Sequence, residues 1–292
     1  MNLSRQQVVI LVLFALQSGC APWQKNRAPE PPQLLRPVEA SPESVTLEIF
    51  FARVPWKDPK ANSSLWERID EQQFPPELRR HLAANGLRAG MIGGQVPEEL
   101  ADMMRLTETA VGDGQEQKQA AASLESEPAV RRRVLQLRSG RRGEILVSGV
   151  IPSLQLLVRE EGQVRGRSYK KAQGLFAVQA MPLPDRRVRL TLVPELHHGD
   201  AKQQWNGQDG IFQLEMARPK EVYPELELVT DLTTGQMLVV SCLADLPSSL
   251  GHHFFSDESA RGKEQKILII RLLQGPTTEL YTAQPATPQE SL

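Results

Sequence analysis

Between Gly174 and Gln274 the apolar residues recur at every second position, in one short run after another. Val188, Leu190 and Leu192 alternate with Arg189 and Thr191, and Phe212, Leu214 and Met216 alternate with Gln213 and Glu215. A period of two lets a strand bury one face and wet the other, and it gives a helix no continuous stripe. One-sided runs of this kind belong to antiparallel sheets. Strands are therefore expected over Gly174–Ala180, Val188–Leu196, Gly210–Ala217, Glu225–Leu232, Met237–Ala244 and Lys266–Leu273. Ile267 to Ile270 is apolar without a break, as a central strand covered on both faces requires. Thr233-Thr-Gly-Gln reads as a hairpin turn between two of these runs.

Upstream, Val45, Leu47, Ile49 and Phe51 alternate with Thr46 and Glu48, the pattern of a half-buried strand. Helical signals follow it. Ser63 or Ser64 is placed to cap a short helix running through Asp70. Pro75-Pro-Glu opens a second helix that Asn85-Gly86 closes, and Pro97-Glu-Glu opens a third, running towards Gly112. The reading is an α+β protein with a small α/β module at 44–112, in which Trp56 and Trp66 are expected as core aromatics. A Gln-, Ala- and Glu-rich linker at 113–128 leads to a mainly antiparallel β domain at 129–275. The tail at 276–292 is polar and contains proline, and is expected to be disordered.

The first residues read as an export signal. Val8 to Leu16 is an unbroken apolar run, too short to span a bilayer as a helix, behind a segment carrying Arg5. Leu16-Gln-Ser-Gly-Cys20 looks like a bacterial lipoprotein cleavage box, with Gln17 where such boxes usually carry leucine. Residues 1–19 are then a signal peptide and Cys20 carries lipid; a plain secretory signal with an incidental cysteine is the other reading. Pro22, Pro29, Pro31, Pro32, Pro37 and Pro42 make 20–43 an extended tether. Ala21 after the cysteine favours sorting to the outer membrane.

Motifs that carry chemistry are few. Gly90-Met-Ile-Gly-Gly lacks the lysine of a phosphate-binding loop, and no Gly-x-Ser-x-Gly elbow occurs. Once Cys20 is lipidated, Cys242 has no disulfide partner, and its apolar setting reads as a buried, inert thiol. The pairs His197-His198 and His252-His253 invite a metal reading, with Glu195, Asp200 and Asp257 nearby in sequence. On strands, however, adjacent residues point to opposite faces, so at most one histidine of each pair serves. Trp205-Asn-Gly-Gln-Asp-Gly reads as a loop whose tryptophan packs back on the sheet or meets a ligand. Arg131 to Arg142 holds six arginines. They bind anionic lipid or nucleic acid, or else they form the charged face of a hairpin over Val134–Gly149. A formal net charge of −1 supplies no field for nucleic acid and favours the hairpin.

The order of the strand-like pieces resembles the C-terminal secretin domain of bacterial type II and type III secretion systems, over about residues 174–274. Gly174-Leu-Phe-Ala-Val-Gln-Ala followed by Arg187-Val-Arg-Leu-Thr-Leu-Val-Pro-Glu195 is similar to a glycine-led strand, a polar turn and a strand ending in Pro-Glu. Gly235-Gln-Met-Leu-Val-Val resembles the start of a hairpin whose paired glycines are here Ser241 and Cys242. Asp245-Leu-Pro, then Leu250-Gly251 and Phe254, resemble a signature between strands, and Glu264 to Arg271 resembles the closing strand. The ring-building modules that precede such a domain in a full secretin are not recognised upstream.

The resemblance implies a degenerate secretin-like domain on a lipoprotein. The expected function is non-enzymatic: a cell-envelope protein, lipid-anchored and facing the periplasm, serving assembly or protein interaction. No cofactor, nucleic acid or small-molecule substrate is expected. Partners are the membrane, through the lipid, and proteins or further copies of the chain. Two alternatives stand beside this, a genuine secretin-type channel component and a metal-dependent hydrolase using the histidine pairs.

Overall fold

Two strands far apart in sequence form the centre of the protein, and both are apolar on both faces. In β1 (Ser44–Pro55), Val45, Leu47 and Ile49 are buried on one face, and Phe50, Ala52 and Val54 on the other. In β14 (Gly262–Gln274), Leu268, Ile270 and Leu272 alternate with Ile267 and Ile269, and all are buried. They pair antiparallel with Ile49 opposite Ile270. Ile267–Ile270 is thus the doubly covered strand its apolar run required. The half-buried reading of β1 is corrected, because Glu48, Phe50 and Ala52 are buried as fully as the face opposite.

The structure, a computed structural model, describes residues 44–93, 96–101, 130–160, 162–208, 211–259 and 262–275. The first sheet runs β2 (Leu87–Ile92), β12 (Met237–Cys242), β14, β1, β3 (Val130–Arg138), with β13 (Ser256–Ser259) also on β14. The second runs β10 (Lys220–Val222), β7 (Val188–His197), β6 (Gln163–Pro182), β4 (Arg142–Leu146). In it β11 (Leu228–Leu232) pairs with β7 and β5 (Ile151–Glu160) with β6. Every pair is antiparallel. A separate hairpin, β8 (Lys202–Gln208) with β9 (Ile211–Ala217), pairs with no other strand among the described residues.

The two sheets share one core. Leu47, Ile49, Leu238, Val240, Leu268 and Ile270 of the first sheet pack in the same cluster as Phe176, Val178, Leu190 and Leu192 of the second. The back of the first sheet has its own cluster. There Phe50, Val239, Ile267 and Ile269 meet Ala61, Leu65, Trp66 and Ile69, from single helical turns, and Leu100. The layers are helical turns, first sheet, second sheet.

This arrangement overturns the α+β assignment: strand outweighs helix, and the class is mainly β. The helical signals were real but short. Lys60–Ser64 and Trp66–Arg68 are single turns that hold Ser63 and Ser64 inside the helical segment rather than at its cap. Only α1 (Pro76–Ala84) is a full helix among them, entered through proline and ended at Asn85-Gly86 as the sequence indicates. A helix opens at Glu98 as well, while its course beyond Ala101 lies outside the described residues. Nor do 44–112 and 129–275 fold apart, since β1 and β2 sit in one sheet with β3, β12 and β14. The expected linker at 113–128 and tail at 276–292 lie outside the described residues.

Two expected hairpins are crossings between sheets. The turn after Arg138, closed by Arg141 N–H to Arg138 C=O at 3.0 Å, leads from β3 on β1 to β4 on β6. The turn at Thr233, closed by Gln236 N–H to Thr233 C=O at 3.1 Å, leads from β11 on β7 to β12 on β14. In each case the apolar residues on the two arms meet the shared core from opposite sides.

A short helix, α2 (Leu250–Phe255), locks the sheets at one end. Ser249 caps it, its hydroxyl accepting from His252 N–H at 3.2 Å. Phe254 lies flat on Gly174 of β6, where a side-chain carbon would meet its ring at 2.5 Å. The buried Asn85 completes the outer edge of β5. Its carboxamide accepts from Arg159 N–H at 2.8 Å and donates to Arg159 C=O at 3.1 Å.

Candidate functional site

Among the described residues three acidic or basic side chains are buried, and each meets partners on other strands. Glu48, in the middle of β1, is 0 % exposed. Its carboxylate accepts from Arg132 of β3, and from Arg271 Nε of β14 at 2.7 Å. The Arg271 guanidinium also lies 5.7 Å from the Phe50 ring centre. Glu195 of β7 accepts from Arg142 at 2.6 Å and from Lys220 at 3.4 Å, with His197 Nε2 at 3.0 Å. Lys266 of β14 donates to Val147 C=O at 2.7 Å and lies 3.7 Å from Asp257. A carboxylate ringed by its own chain's cations has its lone pairs occupied. These groups tie strand to strand: Glu48 joins β3, β1 and β14, and Glu195 joins β4, β7 and β10. Removing one member of such a buried set costs up to about 3–5 kcal/mol. The figure is smaller here, because the arginines reach water at their outer ends.

The break in the first sheet is also filled internally. β12 pairs with β14 only as far as Val240 opposite Leu268. Beyond that, the Ser241 hydroxyl donates to Lys266 C=O at 2.7 Å, and Gln265 donates to Ser241 Oγ and Cys242 C=O, each at 3.1 Å. Ser241, standing where the resemblance has a glycine, thus replaces a missing ladder bond. Cys242 is 1 % exposed, and burial pushes its thiol up to about 12. A thiol held protonated in this way is neither a nucleophile nor a ready metal ligand at neutral pH.

The histidines fall in different places. His197 ends β7 against Glu195, and the ring of the following His198 lies 4.8 Å from that of Tyr169. His81 is exposed on the last turn of α1. His252 and His253 are not on a strand at all but on α2, so opposite-face geometry does not describe them. His253 Nε2 donates to Gln155 C=O at 2.9 Å. The His252 ring stands edge-on to Trp56 at 5.4 Å and accepts from Lys263 at 2.8 Å. Lys263 in turn lies 4.1 Å over the Trp56 ring. Among the described residues no group of three or more His, Cys, Asp or Glu is placed to hold a metal ion.

Burial, then the neighbouring Lys263 and His253, lower the His252 pKa from 6.5 to about 4. His253 is lowered too, burial again being the largest cause. Both rings thus resist protonation when folded, while the unfolded chain takes protons readily. The His252 contribution to stability is complete above pH 6.5 and is lost as the pH falls towards 4, and His253 acts in the same direction. The slope is at most about 1.4 kcal/mol per pH unit for each histidine. His252→Phe keeps an aromatic ring against Trp56 and removes the titration, so urea midpoints measured between those limits should flatten. An unchanged slope would show that these rings do not control acid stability.

The arginine-rich stretch is β3 and the turn that follows it. Arg132 serves Glu48 and Arg142 serves Glu195, while Arg138 and Arg141 are exposed on the turn. A second set of arginines, not singled out in sequence, comes to the same end. The β6–β7 turn carries exposed Arg186 and Arg187, with Arg189 close behind. Gly140 N–H donates to Ala180 C=O at 3.0 Å, joining the two turns. Leu183-Pro-Asp-Arg-Arg, lying between two alternating runs, was the available signal for it.

Trp205 to Gln208, expected as a loop, is strand: β8 pairs Trp205 with Leu214 of β9. Cys20 lies outside the described residues. No family model matches the chain, and neither a curated protein nor a solved structure matches it.

Proposed function

We propose that this chain is a non-enzymatic, lipid-anchored protein of the bacterial cell envelope, facing the periplasm from the outer membrane. Its β-sandwich carries a degenerate secretin-like segment used for assembly with a protein partner or with further copies of itself, not for conduction. The observation that carries this reading is the β8–β9 arm, which forms a two-stranded sheet of its own. A lone hairpin is marginal in water and gains stability by docking, so an arm of this kind serves attachment. The buried charges support the reading, because Glu48, Glu195 and Lys266 are engaged in holding strands together. The two cores support it as well. A membrane barrel gives one face of each strand to lipid, whereas both faces of β1 and β14 are used in packing.

A photo-crosslinking residue in place of Asn206, at the arm, tests this in membranes. The expected result is a discrete heavier adduct. The same residue in place of Arg80, exposed on α1 and away from the arm, should give no such adduct. Absence of any adduct overturns assembly through the arm. Ring-shaped particles that make liposomes leak establish the channel reading instead.

A further inference from the structure

We infer that the arginine end of the sandwich is a docking face for anionic phospholipid headgroups. The two turns that form it are neighbours: Arg142 lies opposite Gln179, Gly140 is bonded to Ala180, and Met181 lies opposite Arg189. This brings Arg138, Arg141 and Arg142 of one turn beside Arg186, Arg187 and Arg189 of the other. Arg142 is engaged by Glu144 and Glu195, and Arg187 and Arg189 by Asp231. Arg138, Arg141 and Arg186 have no carboxylate partner among the described residues, and all three are exposed. Planar guanidinium groups with open donor edges suit phosphate, which they grip through two parallel bonds.

One detail points to a membrane surface rather than a small anion. Met181, between the turns, is 53 % exposed, an apolar side chain flanked by arginines as at a headgroup boundary. The turn itself has an unusual backbone. Asp185 and Arg186 both adopt left-handed conformations, φ 64° and 59°, and Leu183 N–H donates to Arg187 C=O at 2.8 Å across it.

The chain's own course selects the occupant. β1 begins at Ser44, which lies opposite Arg138 in the sheet. The lipid-bearing tether proposed for 20–43 therefore joins the body at its arginine end. The docking face deepens the lipid-anchor reading, since the bilayer that holds Cys20 is the surface the arginines meet. Each arginine near an anionic leaflet contributes a factor of about five in binding.

The test uses residues 21–292, without leader or lipid, whose folded body is a compact unit within 40–292. It is sedimented with vesicles containing phosphatidylglycerol and with vesicles of phosphatidylcholine alone. Binding is expected only to the first, weakening as salt is raised. Arg138→Glu, Arg141→Glu and Arg186→Glu together should lower it by about 100-fold at an unchanged unfolding midpoint. Equal binding to both vesicles, or no loss in the triple variant, overturns the inference. So does duplex DNA outcompeting the vesicles, which assigns the face to nucleic acid, or inorganic phosphate at low millimolar concentration doing so, which assigns it to a small anion. Because Cys20 is absent here, neither outcome depends on whether that residue is lipidated.

Discussion

Gly251→Val is expected to abolish cooperative folding. A side-chain carbon at Gly251 would lie 1.9 Å from the Gly86 carbonyl oxygen, 2.3 Å from its carbon and 2.9 Å from Leu87 N. None of these is the end of a flexible side chain. Gly86 ends α1 and begins the approach to β2, and Gly251 N–H is itself bonded to Asn85 C=O at 2.9 Å. The two backbones are therefore fastened together at the point where the new carbon would stand. Relief requires moving α2, and with it Phe254 from Gly174 and Phe255 from Phe176. Overpacking a core costs 1–3 kcal/mol where side chains give way. Here backbone must give way, and the cost rises to at least about 4 kcal/mol, against a total stability of about 5–15 kcal/mol for an ordinary domain. Gly149→Ala is the matched control, because a carbon there meets nothing within 4 Å. Urea unfolding followed by near-UV circular dichroism should show no native baseline for Gly251→Val and a near-parental curve for Gly149→Ala. A cooperative transition in Gly251→Val within about 1 kcal/mol of the parent would mean α2 does not seat against Gly86 as described.

The strands were legible where their neighbours in sequence were enough to define them. Val188, Leu190 and Leu192 alternate with polar residues because β7 faces the core on one side only. Ile267 to Ile270 does not alternate because β14 is covered on both. Pairing was less legible. Glu48 and Arg271 stand 223 positions apart, and nothing local ties the first described strand to the last. This is why residues 44–112 looked like a module of their own and the class looked α+β. The turns after Arg138 and Thr233 were recognised as reversals, but turn chemistry does not say which sheet receives the chain. Glu48 looked like a solvent-facing residue of an alternating strand. Its burial follows from Arg132 and Arg271, which supply its bonds from two other strands. His252 and His253 look like strand residues only while Ser249, three positions before His252, is not read as the helix cap that it is. The arginine end was half visible. Arg131–Arg142 stood out as a run, whereas Arg186 and Arg187 join it only through folding.

On the proposed lipid-anchor reading, Cys20→Ser is expected to change the protein's location completely. The acyl chains of a lipidated cysteine contribute about 0.8 kcal/mol per buried CH₂, far more than three exposed arginines supply. Lipid should therefore hold the parent in membranes through high salt, where an electrostatic contact is screened. The arginine end alone should give an association that salt removes. The measurement is fractionation of cells expressing parent and Cys20→Ser, with membranes washed in high salt. The parent should remain in the washed pellet and take up labelled fatty acid, while Cys20→Ser should appear in the soluble periplasmic fraction without label. A Cys20→Ser protein that stays in the salt-washed membranes as the parent does would contradict lipid anchoring at this residue.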